Sequence, residues 1–417
     1  MKVPIARLKS SVLLRDSVIY GISNALYAGF PLFMLPLFTI LLSPEDYGLI
    51  EFYRILSMVL IPILGLSTVQ SIIRFFYDLE ETDFKVFVSN IIFLHFFNAI
   101  FGMIFLFSMS YFISEKYWSI IFYCIIFFLS NQIIEILLSI YRAKKESKNY
   151  FLIRLACIGS DIILLYTFYS LVDHFDWTFR VLPNVFATSL VGLVAIFILF
   201  KNKYLLKFDK KLLVTAIAYS SPLIVHMISG YILNIGDRFV ILYYLSEEDL
   251  GNYAVSYQLG MLGNFLFTSF NLAWVPVFYE MLKKNELSRI RRIKIISYYL
   301  ISIFSVLMLI FIYLLVKFSP FFESYAIEMG LVTIISLAYM FISFYKFEAN
   351  YFFYSKNTKR LSIITLGGAC ITICINLLLV QNIGLYGSAI ATVCAALFMF
   401  LMVKVKSPKY EKNVFQD

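Results

Sequence analysis

The chain has 417 residues, of which 61% are hydrophobic and only 15% are charged, and its mean hydropathy is +0.84. A soluble domain is about half apolar and about a quarter charged, so this composition excludes a single globular core covered by polar residues. The net charge of +9 would suit nucleic acid, but the cations lie in short links between apolar blocks, which excludes a separate basic face.

Long uncharged blocks recur along the chain, for example at 19–42, 86–114 and 295–316. A membrane-spanning helix needs about 20 mostly apolar residues, and each of these blocks is long enough. The sequence therefore predicts an all-α membrane protein with about twelve transmembrane helices. The predicted spans are 17–42, 51–73, 86–114, 117–141, 151–173, 178–200, 214–244, 252–278, 294–317, 326–351, 361–381 and 383–403.

Lysine and arginine are concentrated in every second link between the predicted spans. The N-terminus and every second link are basic, as at Lys2, Arg7 and Lys144, whereas the intervening links are acidic, as at Glu247 and Glu248. Because positive links stay in the cytoplasm, this pattern predicts cytoplasmic N- and C-termini and an even number of spans. Membrane lipids, including anionic lipid at the basic side, are expected partners, and nucleic acid is not.

A short repeat divides the chain into two halves. Residues 42–48 and 245–251 share Ser, Glu, Asp and Gly at a constant offset of 203 positions. The offset predicts two parallel halves of six spans, an N-terminal lobe at 1–205 and a C-terminal lobe at 206–417. Transporters place their substrate between such repeats. A shared turn chemistry is the alternative explanation of the match.

Several charged residues fall inside predicted spans, where a charge costs about 2.5–3.5 kcal/mol at mid-bilayer. Such residues are expected to contact a substrate or an ion, although a structural ion pair or snorkelling to the interface explains each of them equally well. Asp237 and Arg238 point about 100° apart on a helix, so we do not expect them to pair with each other. The candidates are Arg54, Arg154, Arg238 and Lys346 for an anionic substrate, and Glu135, Asp161 and Asp237 for a coupling ion.

The five cysteines all lie in apolar blocks, and only Cys370 and Cys374 share a helix face. A metal site needs more ligands that converge, and no histidine is near these two in sequence, so apolar packing is the expected role. We expect no metal site and no cofactor. The links are also too short to hold a catalytic domain, which argues against an enzyme.

Four stretches of the chain resemble the Wzx-type polysaccharide repeat-unit flippases of the multidrug/oligosaccharidyl-lipid/polysaccharide (MOP) exporter superfamily. The resemblance is carried by the Asp-Arg pair in the seventh span and by the Gly-x-x-Gly-x-Ala-x-Ala-Thr pattern in the last one, within a span pattern that covers nearly the whole chain. A multidrug antiporter of the same superfamily is the main alternative, and a membrane glycan-processing enzyme is a weaker one. The stretches are 42–48, 141–150, 221–253 and 376–392.

The resemblance implies two six-helix lobes in the pseudo-two-fold arrangement of MATE transporters, around a central cavity. It also implies that undecaprenyl-diphosphate-linked oligosaccharides cross the bacterial inner membrane by alternating access, for O-antigen or another surface polysaccharide. By analogy, Arg238 and Arg54 are the first candidates to engage the diphosphate, followed by Arg154 and Lys346. A polysaccharide polymerase and chain-length machinery are expected as further partners.

Overall fold

The computed structural model describes residues 19–413, apart from 28, 110, 205, 206 and 356, so the cations Lys2 and Arg7 lie outside the described residues. The regular secondary structure of the described residues is helical throughout. After a first helical segment at 19–27 and 29–33, the α-helices are α1 (Leu35–Leu41), α2 (Pro44–Gly65), α3 (Val69–Phe76), α4 (Glu81–Ser108), α5 (Glu115–Ala143), α6 (Ser147–Leu171), α7 (Thr178–Lys201), α8 (Lys210–Tyr244), α9 (Glu247–Gly260), α10 (Leu262–Lys283), α11 (Leu287–Phe318), α12 (Met329–Tyr354), α13 (Thr358–Ile383) and α14 (Leu385–Asn413).

Nine helices of the described part of the chain are long and apolar enough to cross a membrane, namely α2, α4 to α7 and α11 to α14. The other three predicted spans correspond to the helical residues 19–27, 29–33 and 35–41, to α8 and to the pair α9 and α10. Large apolar side chains point away from the protein, such as Phe101 on α4 and Ile303 on α11, which are 68% and 57% exposed. Such an apolar exterior suits lipid rather than water. The prediction of an all-α, multi-pass membrane protein is confirmed.

The repeated links start two helices with the same serine cap. The Ser43 hydroxyl accepts a hydrogen bond from the Asp46 amide at 3.2 Å and donates one to the Asp46 carboxylate at 2.5 Å. The Ser246 hydroxyl does the same with Asp249, at 3.1 and 2.7 Å. Each serine thus satisfies an amide that the first helical turn leaves without a partner. Shared turn chemistry is therefore part of what the repeat encodes.

A break separates α2 from α3. Leu66 and Ser67 have φ angles of 48° and 52°, in the left-handed region that residues with a side chain rarely adopt. At the break the Gly65 carbonyl loses its ordinary helical partner; it accepts hydrogen bonds from the Thr68 amide at 3.0 Å and from the Thr68 hydroxyl at 2.8 Å, and it lies 3.2 Å from Nε2 of the buried His95. In a bilayer such freed groups need protein partners, so these side chains stabilise a discontinuous span.

The chain forms two compact units. One comprises Met1–Leu35 and Phe52–Ile228, and the other comprises Pro36–Glu51 and Ser229–Asp417. The helices α2 and α8 therefore each contribute residues to both units. The lobe boundary between 205 and 206 stays a prediction.

Each unit has its own apolar core. In the first unit, Ile72, Phe87 and Ile136 are fully buried in a cluster that joins α3, α4, α5 and α7. In the second unit, Phe278 of α10 packs edge-on against Tyr351 of α12, with ring centroids 4.7 Å apart. Aromatic pairs of this kind add about 0.5–1.5 kcal/mol beyond the area that they bury. The two cores hold the helices that carry the intramembrane charges.

Candidate functional site

Arg238 lies at the centre of a closed ion cluster in the second unit and is only 2% exposed. Its Nε donates a hydrogen bond to Glu51 at 2.5 Å, and its Nη1 donates one to Asp237 at 3.1 Å. The Tyr253 hydroxyl donates to the other Asp237 oxygen at 2.5 Å, and the Tyr257 ring lies 4.4 Å from the guanidinium. Two carboxylates therefore compensate this cation.

The expectation that Asp237 and Arg238 do not pair is wrong. Their Cα–Cβ directions differ as expected for neighbours in a helix, but the long arginine side chain folds back to the carboxylate of the preceding residue. A third bond, from Arg238 Nη1 to the Asn234 carbonyl at 3.1 Å, holds the guanidinium beside its own helix. The flexible side chain makes this pairing possible, and a helical-wheel argument does not account for it.

Lys346 of α12 is a half-buried cation with only neutral partners. Its Nζ donates to Asn264 Oδ1 at 3.1 Å and to Thr268 Oγ1 at 3.2 Å, both on α10. Glu348 lies two residues further along, but it forms an ion pair with Lys294, at 2.8 Å, and not with Lys346. No carboxylate of the described residues lies within ion-pair distance of Lys346. Its positive charge is therefore available to an anion.

Further polar groups surround Lys346. One turn along α12, Asn350 donates to Asn271 of α10 at 2.8 Å. Asn264 also lines a small pocket between α9, α10, α11 and α12, together with Ser305 and Tyr339. In the membrane, neutral polar groups at this density hold helices together and keep a charged group partly solvated. Lys346 thus lies in the most polar part of this helix interface among the described residues.

Arg154 of α6 is the principal buried cation of the first unit. Its Nη2 donates to Glu135 of α5 at 2.8 Å, and its guanidinium lies 4.4 Å from the centre of the Tyr27 ring. Its Nε and Nη1 atoms are buried, and no described residue gives either of them a hydrogen-bond acceptor. The Glu135 side chain is one quarter exposed. This pair is therefore incompletely bonded and partly open.

Asp161 of α6 forms a complete salt bridge with Arg180 of α7. The two guanidinium nitrogens donate to the two carboxylate oxygens at 2.7 and 2.9 Å, and both side chains are nearly buried. Sequence reasoning named neither Arg180 as the partner of Asp161 nor Lys294 as the partner of Glu348. Arg54, the remaining predicted cation, lies half-buried on α2 in the first unit.

Comparison of the sequence with family profiles shows which protein family the chain belongs to. The profile of a family described as "Polysaccharide biosynthesis protein" matches residues 13–282, well over half of the chain. The chain belongs to the polysaccharide biosynthesis protein family. Two Haemophilus influenzae proteins are similar to it across most of both chains. "Lsg locus putative protein 1" is 24% identical over 359 residues, and an "Uncharacterized membrane protein" is 26% identical over 367, each covering 84% of this chain and 86% of the relative.

Solved transporter structures share the fold of this polysaccharide biosynthesis protein. The lipid II flippase MurJ in an inward closed conformation matches with a TM-score of 0.68, at 16% identity, over 94% of this chain and 87% of that one. An inward-facing MATE family multidrug transporter of the MOP superfamily matches with a TM-score of 0.66, at 15% identity, over 95% of both chains. At these identities the likeness shows the fold alone. It confirms the fold class that the resemblance implied.

Proposed function

We propose that this protein is a flippase that carries undecaprenyl-diphosphate-linked oligosaccharide repeat units from the cytoplasmic to the outer leaflet of the bacterial inner membrane. Membership of the polysaccharide biosynthesis family supports the substrate class, and the fold of the MOP transporters supports the activity. The single observation that carries the proposal is Lys346, a cation within a predicted span whose charge no described carboxylate compensates.

The chemistry of the substrate explains why such a cation is needed. A diphosphate bound to sugars is anionic and strongly hydrated, and hydrocarbon offers neither counter-charge nor hydrogen bonds. An intramembrane cation stabilises the diphosphate while the polyprenyl chain stays in the lipid. Lys346 lies eight residues before the end of α12 at Tyr354, about 12 Å along the helix axis. Alternating access between two lobes would then move the head group.

The geometry changes the order of the candidate contacts. Lys346 comes first because its partners are neutral, and Arg154 comes second because two of its donors have no described acceptor. We infer that Arg238, with its two carboxylates, positions helices and does not bind the diphosphate. Arg54 stays a candidate.

A multidrug antiporter is the second candidate, because the MATE structure matches the fold nearly as well as the flippase structure does. The drugs that such exporters carry are often organic cations, and Lys346 would repel them. The uncompensated lysine therefore favours an anionic substrate over a cationic drug. A membrane glycan-processing enzyme is a weaker candidate, since the solved structures that share the fold are a transporter and a flippase.

The proposal includes the orientation of the protein in the membrane and the partners that act on its substrate. The basic links indicate cytoplasmic termini, and a lipid-linked substrate implies a polymerase and chain-length machinery that act on the flipped repeat unit. Surface polysaccharide, with O-antigen as one form, would be the product of that assembly.

Gene deletion followed by complementation tests the function. We expect the deletion strain to lose surface glycan on blots and to accumulate lipid-linked repeat units in its membrane. The wild-type gene should restore both, Lys346→Arg should restore them in part, and Lys346→Gln should fail although the protein is present. Normal surface glycan together with raised drug sensitivity in the deletion strain would establish the antiporter instead.

A further inference from the structure

Two arginines near the start of α11 have no carboxylate partner among the described residues. Six cations lie at positions 283–294. Three of them are compensated, in the pairs Lys284–Glu280, Arg289–Glu286 and Lys294–Glu348. Arg291 and Arg292 are exposed, and neither forms an ion pair with a described residue. Their positive charges are therefore available to an anion from outside the chain.

The depth of these two arginines in the membrane follows from the helix that carries them. Residues 295–316 contain no charge and lie entirely within α11, so they measure about 33 Å along the helix axis, close to the ~30 Å thickness of the hydrocarbon core. Arg292 lies three residues before this block and Arg291 lies four residues before it, which places their backbone about 5–6 Å beyond the hydrocarbon. The two guanidinium groups thus lie at the level of the lipid phosphates.

Both arginines continue the lipid-facing surface of α11. Ile295 and Ile296 each follow one of them by four residues, on the same face of the helix, and both are 47% exposed. On the other side, the buried Ile290 and the ion pair of Lys294 with Glu348 of α12 fix the helix against the second unit. The helix therefore holds the two guanidinium groups toward the bilayer and not toward the protein interior.

We propose that Arg291 and Arg292 bind the phosphate of an anionic phospholipid, in the leaflet that the basic links predict to be cytoplasmic. A guanidinium matches the geometry of a phosphate with two parallel hydrogen bonds, and two adjacent cations favour a lipid of net negative charge over a zwitterionic one. The lipid-linked sugar also carries phosphates, but the pair faces the open bilayer, where phospholipids greatly outnumber it. The site is separate from Lys346 and does not depend on the proposed function.

A local probe of lipid composition tests the site. In a background without the native cysteines, a fluorophore is attached to Ser288→Cys, because Ser288 is exposed one turn before the arginines. The full-length protein is reconstituted in vesicles of phosphatidylcholine with a minority of phosphatidylglycerol. The same small fraction of nitroxide-labelled lipid is added, as phosphatidylglycerol or as phosphatidylcholine. We expect labelled phosphatidylglycerol to exchange onto the site more strongly, by up to roughly 25-fold, since each cation near an anionic lipid contributes about fivefold.

The double variant Arg291→Gln/Arg292→Gln should quench equally with both labelled lipids. Lys144→Gln/Lys145→Gln is the matched control, because these lysines are also adjacent, exposed and predicted to be cytoplasmic, but the residue four positions before Lys144, Ile140, is buried. It removes the same charge and should leave the preference at position 288 intact. High salt should weaken the preference of the wild-type protein.

Three outcomes would overturn the inference. The first is equal quenching of the wild-type protein by the two labelled lipids, which needs no variant. The second is a preference for phosphatidylglycerol that survives in the arginine double variant. The third is displacement of labelled phosphatidylglycerol by a far smaller amount of a polyprenyl diphosphate sugar, which would make the pair a substrate site. None of the three bears on whether the protein is a flippase, which the vesicle and deletion experiments decide.

Discussion

Gly48 and Gly251 lie against each other so closely that neither position has room for a Cβ atom. A Cβ on Gly48 would overlap the carbonyl oxygen of Glu247, and a Cβ on Gly251 would overlap the carbonyl oxygen of Pro44. The two glycines are 203 positions apart and each lies five residues after the capping serine of its helix. The first turns of α2 and α9 therefore cross at equivalent points of the repeat, within the second unit.

Replacing either glycine with alanine tests this crossing. We expect Gly48→Ala and Gly251→Ala each to destabilise the protein by about 1–3 kcal/mol, because backbone carbonyls cannot move aside as a flexible side chain can. Thermal unfolding of the purified protein measures the loss. Gly159→Ala on α6, where no atom lies near the added methyl group, is the control and should be neutral or slightly stabilising, because alanine favours a helix over glycine. Equal unfolding temperatures for Gly48→Ala and Gly159→Ala would contradict the observed contact.

Lys346→Gln should weaken binding of a polyprenyl diphosphate sugar by roughly 10- to 100-fold, since a hydrogen bond to a charged group contributes about 1.5–3 kcal/mol. The amide keeps the polar contacts with Asn264 and Thr268 and removes only the charge. Titration of the purified protein with the ligand measures the change.

Lys294→Gln is the matched control, because that lysine compensates the buried Glu348. It should reduce stability and leave the affinity of the folded protein for the ligand nearly unchanged. If Lys294→Gln weakens binding and Lys346→Gln does not, the order of the candidate contacts is wrong.

Arg238→Ala should prevent stable folding rather than block transport selectively. Removing one partner of a buried ion pair costs about 3–5 kcal/mol, and here Glu51 and Asp237 would both stay buried without their cation. Membrane abundance and thermal unfolding measure the effect. Adding Glu51→Gln and Asp237→Asn to the same chain should recover part of the stability. A folded and abundant Arg238→Ala variant that binds no ligand would show that Arg238 contacts the substrate.

Single cysteines introduced at Lys144 and Glu248 test the orientation, and both positions are exposed. In a background without the native cysteines, an impermeant thiol reagent applied to intact cells should label position 248 and spare position 144. Permeabilised cells should show labelling at both positions. Labelling of position 144 alone in intact cells would reverse the predicted topology.

The sequence predicts the spans well because the cause is local. A block such as 295–316 contains no charge, so it is apolar on every side and forms a helix in lipid whatever its neighbours are. The two serine caps are local for the same reason, since Ser43 and Asp46 are three residues apart. By contrast, Leu66 and Ser67 at the break are neither glycine nor proline, and part of the polar support of the break comes from His95 on another helix.

The charged contacts escape sequence reasoning because they depend on how helices rotate against each other. Lys294 and Glu348 are 54 positions apart, and Arg180 and Asp161 are 19 apart. The sequence shows that each carboxylate needs a partner, but it does not show which face of which helix supplies it. For the same reason, the sequence alone ranks Lys346 below Arg238 as a candidate contact of the diphosphate. The structure reverses that order, because no described carboxylate compensates Lys346.

Reconstitution of the purified protein in vesicles tests whether it flips a lipid-linked oligosaccharide. A fluorescent polyprenyl diphosphate oligosaccharide is placed in both leaflets, and an enzyme that cuts the glycan is added outside. In vesicles with the wild-type protein, nearly all of the lipid should be cut. In vesicles with Lys346→Gln and in empty vesicles, only about half of the lipid should be cut. If wild-type vesicles also stop at about half, while the same preparation exports a cationic dye, the protein does not flip this lipid and is a drug exporter instead.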